Sequence, residues 1–196
     1  MPKGLELLDW LDLGDDFARL GVRRTAHEFW ANGQRLLTMP FDKVRSSHPY
    51  TLQLPQHDSE DLLEEAALGA GLVEIRRGHR VVEIGQSPDR ANMGVEGPDE
   101  IYRLEAPWAV GCDGARSGVR RMLGIVTKWR DYGMDSAVAD FEMDCDLPKV
   151  VSRIVLNPAH PYGFFYFAPG RWRFIYRLNE VEARQARVTK PPLRNC

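Results

Sequence analysis

The chain has 196 residues with a net charge of −2 at pH 7, and 43% of its residues are hydrophobic and 28% charged. This composition is typical of an ordinary globular protein, and it excludes a strongly basic chain that binds nucleic acid or anionic membranes. No apolar run is long enough to span a bilayer, and no signal-peptide pattern is found. Three cysteines without framework spacing favour a reducing compartment, so we expect a cytoplasmic protein.

The first 71 residues predict helices that alternate with short extended segments. Their patterns indicate helices over residues 5–11, 17–20 and 60–68, a hairpin over residues 29–37 and a strand over residues 50–54. We expect Asn32-Gly33 at the hairpin tip and Asp58 or Ser59 as the cap of the third helix. Gly69-Ala70-Gly71 resembles the start of a dinucleotide-binding loop. A helix precedes it and a strand follows, so we interpret it as a helix end.

From residue 73 onward the pattern changes to short strands. These strands are predicted over residues 73–77, 80–86, 91–96, 101–105, 108–112, 136–143, 150–156, 162–167 and 172–178. We expect the first four to form an antiparallel meander that leads into a buried strand, Trp108–Cys112. With a domain boundary near residues 126–134, the chain is predicted to have a mixed α/β fold, with one domain over residues 1–125 and a β-sheet domain over residues 126–196.

Residues 110–120, which read VGCDGARSGVR, contain the strongest chemical signal. Asp113 and Gly114 follow the apolar strand, where a carboxylate accepts hydrogen bonds from sugar hydroxyls and a glycine lets the backbone approach a ligand. Ser117 is expected to cap a short helix over Gly118–Leu123. Three arginines would place positive charge near a phosphate at the helix start: Arg116, Arg120 and Arg121. A common Asp-Gly turn before an ordinary capped helix also explains this segment.

This segment resembles the Asp-Gly fingerprint of the FAD-dependent aromatic hydroxylases, flavoprotein monooxygenases related to p-hydroxybenzoate and phenol hydroxylases. Leu54-Pro55-Gln56, followed by Glu60 and Leu62-Leu63, is similar to a second family segment. The strand Gly170–Phe174 resembles the substrate domain of hydroxyphenylpropionate hydroxylase-like members. The resemblance implies an enzyme that binds FAD, uses NADH or NADPH, and hydroxylates a small aromatic compound with oxygen.

The resemblance also implies roles for particular residues. The implied cofactor-binding residues are Gln56, Asp113, Gly114, Arg116, Ser117 and Arg120. Without the family resemblance, Gln56 is better explained as a polar residue that faces water at the start of a helix. Lys3 occupies the place of a family arginine that holds the flavin, but lysine lacks the bidentate geometry of arginine. No catalytic residue is assigned, and no metal site is expected, because His57 has no second His or Cys at ligand spacing.

Aromatic residues alternate along the last predicted strands. Trp172, Phe174 and Tyr176 fall on one strand face, and we expect Phe164 and Tyr166 across from them. Such a face is suited to roof an aromatic substrate, although burial statistics favour a plain hydrophobic core. No substrate contact is therefore assigned to these rings.

The resemblance covers only the middle of the family's length. The glycine-rich βαβ start and a later Gly-Asp segment are absent, and the ending Lys190–Cys196 matches no family element. We therefore expect a truncated fragment with part of an FAD-binding domain over residues 1–125 and part of a substrate domain over residues 126–196. The alternative is a non-catalytic protein that binds a partner. A nucleic-acid binder using the basic stretch Arg171–Arg194 is disfavoured by the acidic remainder, and no membrane partner is expected.

Overall fold

The computed structural model describes residues 1–130 and 132–189. They form two compact units: a larger unit of residues 1–70 and 132–189, and a smaller unit of residues 71–130. The predicted mixed α/β class is confirmed. The predicted functional division into residues 1–125 and 126–196 stays a prediction, and the ending Lys190–Cys196 lies outside the described residues.

The described residues contain five helices and eleven strands. The helices are α1 (Pro2–Asp9), α2 (Gly14–Leu20), α3 (Gln56–Gly69), α4 (Gly118–Met122) and α5 (Glu180–Thr189). The first strands are β1 (Val22–Arg24), β2 (Ala26–Ala31), β3 (Gln34–Pro40), β4 (Thr51–Gln53), β5 (Arg80–Gln86) and β6 (Ala91–Glu96). The others are β7 (Ile101–Ala106), β8 (Ser136–Glu142), β9 (Val151–Val155), β10 (Tyr162–Ala168) and β11 (Arg171–Arg177).

The larger unit is built on a six-stranded sheet in the order β3-β2-β9-β10-β11-β8. β2 pairs in parallel with β9, and the other neighbouring strands are antiparallel. The predicted hairpin between β2 and β3 is confirmed, with Asn32 and Gly33 both at positive φ. A separate antiparallel pair, β1 with β4, contacts β10.

The two faces of the larger sheet differ in chemistry because side chains alternate along each strand. On one face, here called the aromatic face, Phe164 lies opposite Phe174 with ring centroids 4.9 Å apart. Tyr166 lies opposite Trp172 on the same face, at 5.2 Å, as the sequence predicted. Trp172 is only 2% exposed, so this end of the aromatic face belongs to the core. The opposite face presents Arg173, which stacks over Phe167.

The smaller unit contains the predicted meander, β5-β6-β7, and α4. Two strand predictions in this unit were wrong. Residues 73–77 and Trp108–Cys112 form no strand, and Trp108 is 87% exposed. The reason is physical: a strand needs a neighbour to satisfy its backbone groups, and no strand of the described chain pairs with either segment.

The start of α3 and the presence of α5 also differ from the prediction. α3 begins at Gln56 with Pro55 as its N-cap, not at Asp58 or Ser59, and the Ser59 hydroxyl donates back to the Pro55 carbonyl at 3.3 Å. The fixed φ of proline suits the start of a helix, so the helix begins earlier. α5 was not predicted. Asn179 and Glu182 cap it reciprocally, since each side chain accepts a hydrogen bond from the other's backbone N–H at 2.9 Å.

Two structural features bear on the expected cellular location: the lengths of the helices and the state of the cysteines. None of the helices within residues 1–130 and 132–189 combines the length and apolar character needed to cross a membrane. Cys112 and Cys145 are free thiols. A reducing, cytoplasmic location stays a prediction from the sequence.

Candidate functional site

The Asp113 loop connects β7 to α4 and forms a compact hydrogen-bonded turn. Ser117 caps α4: its Oγ accepts a hydrogen bond from the Arg120 N–H at 2.9 Å and donates to Oδ1 of Asp113. Oδ2 of Asp113 accepts from the Val119 N–H at 3.0 Å. Gly114 adopts a φ of 75°, a left-handed conformation that favours glycine. The predicted cap and turn are therefore confirmed.

These hydrogen bonds determine the charge of Asp113. The Ser117 hydroxyl and then the Val119 N–H lower the pKa of Asp113 to about 2, because both stabilise the carboxylate. The side chain is exposed, and a carboxylate has about four acceptor positions, so it can accept from a ligand as well. A Cβ atom at Gly114 would meet nothing within 4 Å, so the space beside this turn is open. An ionised acceptor beside an open glycine turn fits a hydroxyl-rich ligand.

The arginines of this loop have different surroundings. Arg120 donates from Nη2 to the Ala115 carbonyl at 2.7 Å, and its guanidinium lies 5.8 Å from the centroid of the Trp129 ring. Arg116 and Arg121 are exposed. Arg116 thus lies in the same loop as Asp113, and Arg120, in the first turn of α4, bonds back to that loop. Their contact with a phosphate stays a prediction.

A cavity of about 510 Å³ lies beside this loop within the smaller unit. Gly111 and Val119 belong to its wall, and the turn between β5 and β6 forms another side. A Cβ atom at Gly111 would lie 3.0 Å from Cγ1 of Val119, so glycine is what lets the loop pack this closely on α4. The exposed ring of Trp108 also lines the cavity.

Gln56 occupies a groove in the larger unit, away from the Asp113 loop along the chain. The groove measures about 510 Å³. It is lined by Pro55, Gln56, His57, Asp140, Phe141, Glu142, Phe167, Arg171 and Arg173. The Gln56 amide donates to Glu60 at 2.7 Å. Its exposed side chain adjoins a face with a phenyl ring and two guanidinium groups, an arrangement suited to a planar, polar ligand.

Arg173 and Asp140 form a bidentate ion pair across β11 and β8, with distances of 2.7 and 2.8 Å. The Asp140 hydrogen bond raises the pKa of Arg173, and the same bond lowers the pKa of Asp140. The pair fixes the guanidinium over Phe167 at 5.1 Å. Sequence reasoning missed both residues in the site. The only available signal was the alternation of Arg171 and Arg173 along a strand.

Two other residues considered from the sequence have ordinary surroundings. Lys3 lies in the first turn of α1 and pairs with Glu6 at 2.7 Å. His57 pairs with Asp58 at 2.9 Å. Among residues 1–130 and 132–189, no group of three or more His, Cys, Asp or Glu side chains is placed to hold a metal ion.

A sequence model described as an FAD binding domain matches residues 1–194. The chain belongs to this family. Within it, the chain is 36% identical over 159 residues to the 12-dehydrotetracycline 5-monooxygenase/anhydrotetracycline 6-monooxygenase of Streptomyces rimosus, covering 81% of this chain and 30% of that protein. It is 32% identical to a probable NADH-specific resorcinol 4-hydroxylase of Rhodococcus jostii, covering 80% of this chain and 31% of that protein.

The structural likeness agrees with this assignment. The crystal structure of p-nitrophenol 4-monooxygenase from Pseudomonas putida superposes with a TM-score of 0.83 at 26% identity, covering 94% of this chain and 49% of that chain. The predicted membership in the FAD-dependent aromatic hydroxylase family is confirmed. The chain spans about a third of the length of the curated relatives described above.

Proposed function

We propose that the chain binds FAD and contributes to an NAD(P)H-dependent monooxygenase that hydroxylates a small aromatic compound. The family match over residues 1–194 and the monooxygenase relatives support this proposal. The observation that carries it is the Asp113 loop, in which an ionised, exposed carboxylate stands beside an open glycine turn. That geometry suits the hydroxyl groups of a nucleotide or ribityl chain.

The chain's own residues would bind and orient the cofactor. Asp113 accepts hydrogen bonds from ligand hydroxyls, and Gly114 lets the backbone approach them. Gln56 can both donate and accept through its amide, which suits the polar edge of a flavin ring. Bound FAD supplies the transfer of electrons from NAD(P)H and the activation of oxygen. The protein supplies orientation and electrostatics.

The Gln56 groove is the region that we propose for the reacting rings. Phe167 offers an apolar surface, and Asp140 holds Arg173 in one orientation. The N–H groups of this guanidinium that Asp140 does not bind can donate to polar substituents of an aromatic ring lying on the apolar wall. The aromatic face of the sheet lies on the opposite side from Arg173, so we propose that those rings form core instead of a substrate roof.

A second candidate is a non-catalytic protein that binds a partner. The exposed side chains of Trp108 and Val110 favour it, because contiguous apolar residues on a surface mark interaction sites. Purification of the tagged chain from its native cells tests this candidate. A stoichiometric partner in the absence of flavin would support it over the FAD proposal.

Titration of FAD into the purified chain tests the leading proposal. We expect a shifted visible flavin spectrum that saturates, and a weaker affinity for Asp113→Asn and Gln56→Leu. Gln34→Leu, an exposed glutamine at the start of β3, is the matched control and should bind like the unaltered chain. An unshifted spectrum, with no FAD retained in equilibrium dialysis at millimolar concentration, would overturn FAD binding by this chain.

A further inference from the structure

Arg24 is a buried arginine that the proposed flavin site does not use. It lies at the end of β1 and is 2% exposed. Its Nη2 donates to the Tyr166 carbonyl at 3.3 Å, and its guanidinium lies 5.1 Å from the centroid of the Phe165 ring. The side chain thus lies between the β1–β4 pair and β10 of the larger unit.

No acid within residues 1–130 and 132–189 contributes to the pKa of this guanidinium. Within the part of the chain that the structure describes, no carboxylate lies within ion-pair distance of Arg24. Burial lowers the pKa of Arg24 to about 10, with no opposing contribution from an acid. The group is therefore still a cation at neutral pH. Burial, and then the positive charge of Arg24, lowers the pKa of the neighbouring His27.

Thr51 provides a second unsatisfied group at the same place. It lies directly opposite Arg24 in the antiparallel β1–β4 pair and is 5% exposed. Oγ1 of Thr51 and Nε of Arg24 are both buried and have no hydrogen-bond partner among the described residues. Directly opposed residues of an antiparallel pair share one face, with Cβ atoms about 4.5–5.5 Å apart. One N–H and one O–H donor are thus available on adjoining side chains.

We propose that Arg24 and Thr51 form a buried site for a small inorganic monoanion of the chloride type. A buried cation without a compensating negative charge is costly, and an unmade buried hydrogen bond adds to that cost. A monoanion that accepts from Nε of Arg24 and Oγ1 of Thr51 offsets both. Because both side chains are buried, we expect only a small ion to reach them. This site is independent of FAD binding.

Thermal unfolding at constant ionic strength tests the site. The chain is unfolded in mixtures of sodium chloride and sodium gluconate, whose bulky anion is too large for a buried position. We expect Tm to rise and saturate with chloride, by about 5–10 °C when chloride exceeds its Kd roughly 100-fold. Bromide and nitrate should act similarly. Equal Tm values in chloride and gluconate would mean that water fills the position, and would overturn the proposal.

Three substitutions localise the effect. Thr51→Val keeps the shape and removes the hydroxyl donor, so the chloride Kd should rise about tenfold. Arg24→Met removes the cation and should abolish the chloride dependence. Arg19→Met removes an exposed arginine paired with Asp16 and should leave the dependence unchanged. An undiminished chloride response in Thr51→Val and Arg24→Met would overturn the assignment.

Two further measurements keep the test decisive. If Arg24→Met does not fold, broadening of the ³⁵Cl NMR signal by the unaltered chain, and weaker broadening by Thr51→Val at the same chloride concentration, decide the question. Formate serves as a small carboxylate in the same Tm experiment. A response to formate without a response to chloride would contradict an inorganic-anion site.

Discussion

The hydroxyl of Ser117 links the Asp113 carboxylate to the first turn of α4. It donates to Oδ1 of Asp113 and accepts from the Arg120 N–H at 2.9 Å. Asp113 therefore stabilises the loop, in addition to the ligand-binding role that we propose for it. Because a substitution at Asp113 can change both stability and flavin affinity, both quantities must be measured on the same variant.

Replacement of the cap should destabilise the smaller unit. Ser117→Ala removes the acceptor of the Arg120 N–H, and such a loss costs about 1 kcal/mol of unfolding free energy. The pKa of Asp113 should also rise, because the Ser117 hydrogen bond is the largest cause of its lowering. Urea unfolding measures the first effect. Ser47→Ala, an exposed serine, is the control, and equal losses in both variants would contradict the capping role.

The pKa of Asp113 predicts a specific acid sensitivity. Its folded value, about 2, lies below the ordinary value of 3.8, so the ionised carboxylate favours the folded state. That stabilisation is complete above pH 3.8 and is lost as the pH falls through about 2. Urea unfolding of the unaltered chain and of Asp113→Asn between pH 5 and pH 2 measures it. A stability difference that does not shrink with acid would contradict the lowered pKa.

Gly163 and Gly85 form a matched pair of strand glycines. A Cβ atom at Gly163 would lie 2.7 Å from the Phe165 ring, whereas one at Gly85 would meet nothing within 4 Å. The Phe165 ring is itself packed under the Arg24 guanidinium. Gly163→Ala should therefore destabilise the chain by about 1–3 kcal/mol, and Gly85→Ala should leave stability unchanged or raise it by up to about 1 kcal/mol. Chemical unfolding of both variants checks this contrast. Similar changes in unfolding free energy for the two variants would refute it.

Trp172 and Trp10 contrast a core tryptophan with a surface one. Trp172 is 2% exposed and donates from Nε1 to the Met143 carbonyl at 3.2 Å, and Trp10 is 81% exposed. Trp172→Ala should cost about 3–5 kcal/mol through cavity formation, and Trp10→Ala less than about 0.5 kcal/mol. Thermal unfolding monitored by circular dichroism distinguishes them. A small effect at Trp172 would place the core of the sheet elsewhere.

Local patterns in the sequence predicted the elements that are stabilised locally. The Asn32-Gly33 turn, the β5-β6-β7 meander and the Ser117 cap all depend on residues close in sequence, and all are confirmed. The Trp108–Cys112 prediction was wrong because apolar composition indicates burial only when a neighbouring strand covers the segment. The Asn179–Glu182 capping box was a readable local signal that the interpretation overlooked.

The candidate site was predictable only where it is contiguous. The Asp113 loop is one stretch of chain, so its cap, turn and carboxylate were all visible in the sequence. The Gln56 groove depends on Asp140 and Arg173, which meet through the register of β8 with β11. That register follows from the pairing of strands and not from residue spacing. The buried position of Arg24 likewise depends on how β1 and β4 contact β10.

The parallel pairing of β2 with β9 has a consequence for how the chain acquires its structure. His27 and Ser152, whose side chains meet at 2.6 Å in this pairing, are 125 residues apart in sequence. During synthesis on the ribosome, the edge of β2 that pairs with β9 therefore stays unpaired until residues 151–155 have been made. Such distant pairing slows folding, and an exposed edge invites aggregation. Chaperone dependence during synthesis should thus be greater for the larger unit than for the contiguous smaller one.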